Sequence, residues 1–154
     1  MPNFKSATIV RQEQLSASAQ AEPSNMNGKL PLIQRVSYTL LGSEAANDTI
    51  ELFDLPAGAV IVPQDSSVTC LDPGTTLTLD IGDSADTDRY ADGIIMSAGG
   101  IVNFCSTAAT TMPAAVATPF APTATTRIVA KLDTAATLTA GVVLYFSIVY
   151  RIRG

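Results

Sequence analysis

From residue 31 onward, apolar and polar positions alternate with a period of two. Val36, Tyr38 and Leu40 alternate with Arg35, Ser37 and Thr39; Ile50 and Leu52 alternate with Thr49 and Glu51. Leu77, Leu79 and Ile81 alternate with Thr76, Thr78 and Asp80, and Ile128, Ala130 and Leu132 alternate with Arg127, Val129 and Lys131. Successive side chains of an extended chain point to opposite faces, so this pattern predicts strands with one buried face. Ala59 to Val62 is a short β-branched run between Pro56-Ala57-Gly58 and Pro63. Gly93 to Met96 and Ile101 to Phe104 flank Ala98-Gly99-Gly100, a glycine hairpin signal. Near the C-terminus Leu138, Ala140, Val142, Leu144, Phe146, Ile148, Tyr150 and Ile152 share one face. Such a run is long for one strand, so a bend or bulge near Ala140-Gly141 is expected to divide it. No segment of 31–154 carries a helical period. Eight or so strands separated by turn residues predict an all-β domain, an antiparallel β-sandwich or jelly roll, over 31–154.

Residues 1–30 are different. They are rich in Ser, Gln, Asn and Ala and end in the turn-like run Pro23-Ser24-Asn25-Met26-Asn27-Gly28. An amphipathic piece around Ile9 to Leu15 is too short to hold as a helix by itself. The plain reading of 1–30 is a flexible, extended N-terminal arm; ordering it costs about 1–2 kcal/mol of backbone entropy per residue, so an ordered arm is expected to lie on a partner. A second unusual stretch, Ser106 to Thr126, contains three prolines and no charge. It is either a long extended connection over the sheet edge or an intersubunit segment, since an uncharged apolar loop is poorly suited to water.

Composition narrows the chemistry. The 154 residues contain no His and no Trp, and aromatics are 6%. This excludes His-based triads and His-ligated metals, and it leaves few platforms for stacking bases or sugars. No apolar run approaches the roughly 18 residues needed to cross a bilayer, so no membrane contact is expected. The start of the chain lacks a basic stretch followed by an apolar core, so no secretory signal is expected. Residues 1–43 carry a net +2, 44–92 a net −10, and 93–154 a net +3. The acidic middle repels phosphate and the basic residues do not cluster, so no nucleic-acid partner is expected. Opposite signs along the chain suit packing of copies against one another.

Cys70 and Cys105 sit beside apolar neighbours and read as buried free thiols in strands; their spacing permits a disulfide without arguing for one. The one polar constellation runs from Asp80 to Tyr90. Asp83, Asp86 and Asp88 are candidate Ca²⁺ ligands, but their spacing is not that of an EF-hand loop. Asp and Gly also build turns through local backbone hydrogen bonds, and the turn is the preferred reading. No catalytic residue and no cofactor site is expected: Gly82-Asp83-Ser84-Ala85-Asp86 lacks the closing glycine of a nucleophile elbow, and no phosphate-binding glycine loop occurs. Asn47-Asp48-Thr49 matches a glycosylation triplet of a kind common by chance. Tyr145 and Tyr150 read as packing residues rather than a binding patch.

Leu55-Pro56-Ala57-Gly58-Ala59-Val60-Ile61 and Leu77-Thr78-Leu79-Asp80-Ile81-Gly82-Asp83, with Asp86-Thr87-Asp88-Arg89-Tyr90, resemble segments of small virion proteins of tailed bacteriophages. The resemblance spans about 33–152, and those two stretches are its specific part. It implies a non-enzymatic capsid decoration (cement) protein: a β-sandwich on the outer capsid surface that binds the major capsid protein, commonly as a homotrimer with an extended arm. Neck, tail or fibre components are the alternative within that resemblance. A host-receptor or carbohydrate-binding sandwich is the alternative from another class, and the missing Trp counts against sugar stacking.

Overall fold

The computed structural model describes residues 3–6, 31–106 and 114–152. Their strands are β1 (Asn3–Lys5), β2 (Leu32–Thr39), β3 (Thr49–Leu55), β4 (Ala59–Ile61), β5 (Ser67–Cys70), β6 (Gly74–Asp83), β7 (Ala91–Ile95), β8 (Gly100–Asn103), β9 (Thr126–Leu138) and β10 (Val143–Ile152). A 3-10 turn at Pro63–Asp65 and one helical turn, α1 (Ala114–Ala117), complete the described elements. One sheet has the order β1-β3-β9-β6-β7; the other has the order β2-β10-β5-β8, with β4 pairing the end of β10. Every pairing is antiparallel except β1 with β3. The molecule is the all-β sandwich that the period of two predicts.

The core lies between the two sheets. Val36, Tyr38, Val68, Leu144, Phe146 and Ile148 enter from the second sheet, and Ile50, Leu52, Leu77, Leu79, Ile81, Ile94, Ile128 and Leu132 from the first. Each large side chain moved out of water contributes about 1.5–3 kcal/mol, so this layer supplies the main driving force. In β3 the alternation breaks, because Leu52 and Phe53 are both buried. A register shift between Glu51 and Phe53 explains it: the extra residue lets Ile50 and Leu52, then Phe53 and Leu55, all face inward.

Two expectations about connectivity change. Ala98-Gly99-Gly100 does not close a hairpin, since β7 pairs with β6 in one sheet and β8 with β5 in the other. The segment is an arch between sheets. Its Gly99 has φ +67°, and a Cβ there would lie 2.7 Å from the Asp72 nitrogen on the neighbouring β5–β6 arch. Leu138 to Ile152 divides at Ala140-Gly141, where a break is expected, but by a turn between the two sheets rather than a bend within one strand. Leu138 ends β9, and residues 139–142 turn the chain into the opposite sheet, where β10 begins. The period stays in phase across that turn, which is why the pattern looked continuous.

The N-terminal segment also has a place. Asn3, Phe4 and Lys5 pair in parallel with Thr49, Ile50 and Glu51. Ser6 is buried, its N–H donates to the Glu51 carbonyl (2.8 Å), and its hydroxyl donates to the Leu52 carbonyl (2.6 Å). Residues 3–6 therefore lie on the domain's own sheet, at the bulge that turns the Leu52 carbonyl away from the β9 ladder. The Ile9–Leu15 piece and the rest of 7–30 lie outside the described residues. The described part of the uncharged 106–126 stretch packs at home: Ala115 is buried, its N–H donates to the Arg89 carbonyl (3.1 Å), and the Pro122 carbonyl accepts from Gly58 N–H (2.7 Å). These described residues form a connection packed on the domain's own loops, and residues 107–113 lie outside the description.

Candidate functional site

The acidic segment lies at the end of the sandwich where β6 stops. Asp83, its last strand residue, is buried. Its Oδ1 accepts from the N–H groups of Ala85 (2.9 Å) and Asp86 (3.1 Å), and its Oδ2 accepts from Arg89 Nε (2.9 Å). The backbones of Asp83 and Asp86 also exchange hydrogen bonds, at 2.9 and 3.3 Å. Asp83 thus closes the turn from inside. Gly82 beneath it has no room for a side chain: a Cβ would meet the Asp86 carbonyl oxygen at 2.1 Å. The Arg89 guanidinium covers the Phe120 ring at 3.9 Å, which ties the loop to the incoming β9 connection.

The three carboxylates proposed as calcium ligands have separate roles. Asp83 is fully engaged by its turn. Asp86 sits 3.6 Å from Arg89 Nη1. Asp88 is held above the usual carboxylate range, chiefly by a hydrogen bond shared with Asp86, then by partial burial. Among the described residues, no group of three or more Asp, Glu, Cys or His side chains is placed to hold a metal ion. Asp80, one turn of the strand earlier, is buried and accepts from Gly93 N–H (2.9 Å), with Lys131 Nζ 3.5 Å from its other oxygen. Burial raises its pKa, and the Gly93 bond opposes that rise. Asp80 fills the gap in the β6–β7 ladder where the register shifts between Leu79 and Ile81.

Beside the loop, the outer face of the first sheet carries a hollow of about 640 Å³ lined by Glu51, Asp54, Ser84, Thr87, Arg127 and Val129, among others. Arg127 is opposite Asp54 in register and makes a two-pronged contact with it, Nε at 2.5 Å and Nη2 at 3.2 Å. Its Nη1 donates to Glu51 (2.6 Å). The guanidinium pKa is raised, first by the Asp54 hydrogen bonds. Two carboxylates around one cation join β3 to β9 and leave the hollow with a net negative character.

The thiols are free, and their settings differ. Cys70 is buried in β5, where loss of water pushes its pKa up to about 11. Cys105 corrects the expectation of a buried strand residue: it is half-buried in the turn after β8, and burial raises its pKa as well. Neither is poised as a thiolate at neutral pH. Tyr150 packs as expected, with its ring centroid 6.2 Å from that of Phe53. Tyr145 does not; it is 55% exposed on the outer face of the second sheet. Asn47 adopts φ +71° in the turn before β3. No described helix is long and apolar enough to cross a membrane.

No family model matches the sequence, and no curated protein does. Solved structures do share its architecture. A chain of the capsid of Ralstonia phage GP4 superposes with a TM-score of 0.67 at 20% identity, with 99% of each chain covered. A chain of the cyanophage Pam1 capsid asymmetric unit gives 0.61 at 19% identity, covering 89% of this chain and 96% of that one. A chain of the acid-stable capsid of Helicobacter pylori bacteriophage KHP30 gives 0.53 at 18% identity, covering 82% and 90%. At these identities the likeness is one of fold: the chain shares its sandwich, nearly end to end, with chains found in phage capsids.

Proposed function

We propose that the chain is a non-enzymatic virion protein of a tailed bacteriophage, a capsid decoration protein that binds the major capsid protein on the outer surface and associates with itself as a trimer. The observation that carries this is the superposition over 99% of both chains on a chain of a phage capsid. The site chemistry agrees with it. The polar groups at the acidic end are consumed in closing turns and joining strands, which suits a scaffold better than a reaction centre. A shell presents many identical sites, so modest contacts made by each copy sum through multivalency. The arm supplies a further contact by strand addition, in which unpaired backbone groups extend a neighbouring sheet.

Copy number tests the decoration role. Quantitative mass spectrometry or cryo-electron microscopy of purified particles is expected to find hundreds of copies per particle. A dozen or fewer would move the protein to the neck, tail or fibres, and absence from particles would sink the virion reading altogether.

A further inference from the structure

The sandwich has two unlike ends. The acidic loop occupies one. The other gathers the chain after β2, the β5–β6 arch, the β7–β8 arch and the β9–β10 turn, and these interlock through the backbone. Leu40 N–H donates to the Val142 carbonyl, Gly141 N–H to the Leu40 carbonyl, and Thr139 N–H to the Pro73 carbonyl, each at 2.8 Å.

This interlocked end is apolar outside as well as inside. Leu71 is 82% exposed, Ile101 77%, Leu41 58% and Tyr145 55%. Register sets them along one strip. Tyr145 on β10 and Ile101 on β8 both pair with Thr69 of β5, and Leu71 lies two residues beyond Thr69. Leu41 follows β2, whose Thr39 pairs with Val143 at the start of β10. Strands lie about 4.8 Å apart, so the strip crosses roughly 15 Å of the second sheet. Charge is sparse too: segments 36–43, 66–71, 94–106 and 134–150 contain no Asp, Glu, Lys or Arg, and Asp72 is the exposed carboxylate beside Leu71. Of the carboxylates here, Glu44 is buried, and the Asp72 side chain accepts from Gly74 N–H (3.0 Å). β8 is the edge of its sheet among the described strands, and its four residues contain no Lys, Pro or bulge of the kind that blunts an edge.

We propose that this end is a self-association face, and that its occupant is the same end of the neighbouring copies in the trimer, gathered about one threefold axis. The charge distribution selects that occupant. The chain carries a net −5, with the acidic loop at the far end. Joining copies by these weakly charged ends holds the acidic loops apart, whereas a strongly charged partner surface would meet Asp72 as the one exposed charge beside the strip among the described residues. Each copy presents the same apolar strip, so copies that converge on one axis bury their strips against one another. The inference rests on the self-association part of the proposed function and not on the virion part.

The test is the mass of the full chain by light scattering at micromolar concentration. The wild type is expected to be associated, and Leu71→Asp with Ile101→Asp to run as a monomer, with dissociation constants raised on the order of 100-fold. Leu41→Asp should weaken association from the other side of the strip without touching β8. Ile33→Asp, equally surface-placed at 60% exposure but at the other end of β2, should leave association intact. Circular dichroism and melting confirm that each variant is folded. A wild type that is monomeric overturns self-association itself, including the case where the monomer then binds particles by this strip. An associated wild type whose folded variants stay associated overturns only the face.

Discussion

Tyr38 and Tyr90 show how much a single hydroxyl depends on its surroundings. Both are buried, and burial raises both phenol pKa values, so both stay neutral. Tyr38 donates to Glu44 Oε1 (2.8 Å), and the same carboxylate accepts from Leu41 N–H (2.7 Å) and Gly42 N–H (2.8 Å). The Tyr90 hydroxyl is buried with no hydrogen-bond partner among the described residues. A buried unsatisfied polar group costs about 1–3 kcal/mol, while a satisfied one contributes about 1 kcal/mol. Tyr→Phe should therefore have opposite signs at the two sites. Tyr90→Phe is expected to raise the melting temperature by roughly 2–4 °C and Tyr38→Phe to lower it by a similar amount. A drop for Tyr90→Phe would mean that its hydroxyl is satisfied. Nothing in the sequence distinguishes the two tyrosines. Tyr38 stands in a clear alternation, but its partner Glu44 is six residues away across a turn, and the solitude of Tyr90 is a property of the packed interior.

At the level of elements, alternation locates strands and is silent about which sheet they join. Leu77 to Ile81 and Val142 to Tyr150 were legible because one face of each is continuous and apolar. The arch at Ala98-Gly99-Gly100 looked like a hairpin because a glycine turn has the same composition whether it joins neighbours or crosses the core. Ser67–Cys70 and Asn3–Lys5 are too short to show a period, and nothing in the sequence announces that Ser6 takes up the Leu52 carbonyl at the bulge beside β1. The acidic loop was legible as a turn, yet the roles within it were not: Asp83 staples while Asp86 and Asp88 share a hydrogen bond. That division gives a test. Asp83→Ala leaves two N–H donors and Arg89 without their acceptor, and should cost about 2–3 kcal/mol, or roughly 5–10 °C. EDTA should leave the wild-type melting temperature unchanged. A fall of several degrees in EDTA, reversed by Ca²⁺ and lost in Asp86→Ala, would make the loop a cation site instead.

The whole molecule joins an N-terminal segment to a sandwich whose described core residues all lie beyond residue 31. Parallel pairing of β1 with β3 needs a long connection, and the chain between them includes β2 in the other sheet. Of the residues in 1–30, only 3–6 are described, and β1 meets the domain through β3 alone among the larger element contacts. The ladders that enclose the core, β6 with β9 and β10 with β2 and β5, all lie beyond residue 31. Deleting 1–30 should therefore leave a soluble, cooperatively melting β-protein, a few degrees less stable for the loss of β1 and the buried Ser6. Its association by light scattering should persist, because Leu41, Leu71, Ile101 and Tyr145 are untouched. Its binding to particles should fall at least about tenfold, because a linked second contact multiplies affinity only while the link exists. A truncated chain that coats particles as fully as the intact one would show that the sandwich carries the whole contact, and that residues 1–30 serve only to complete the edge of β3.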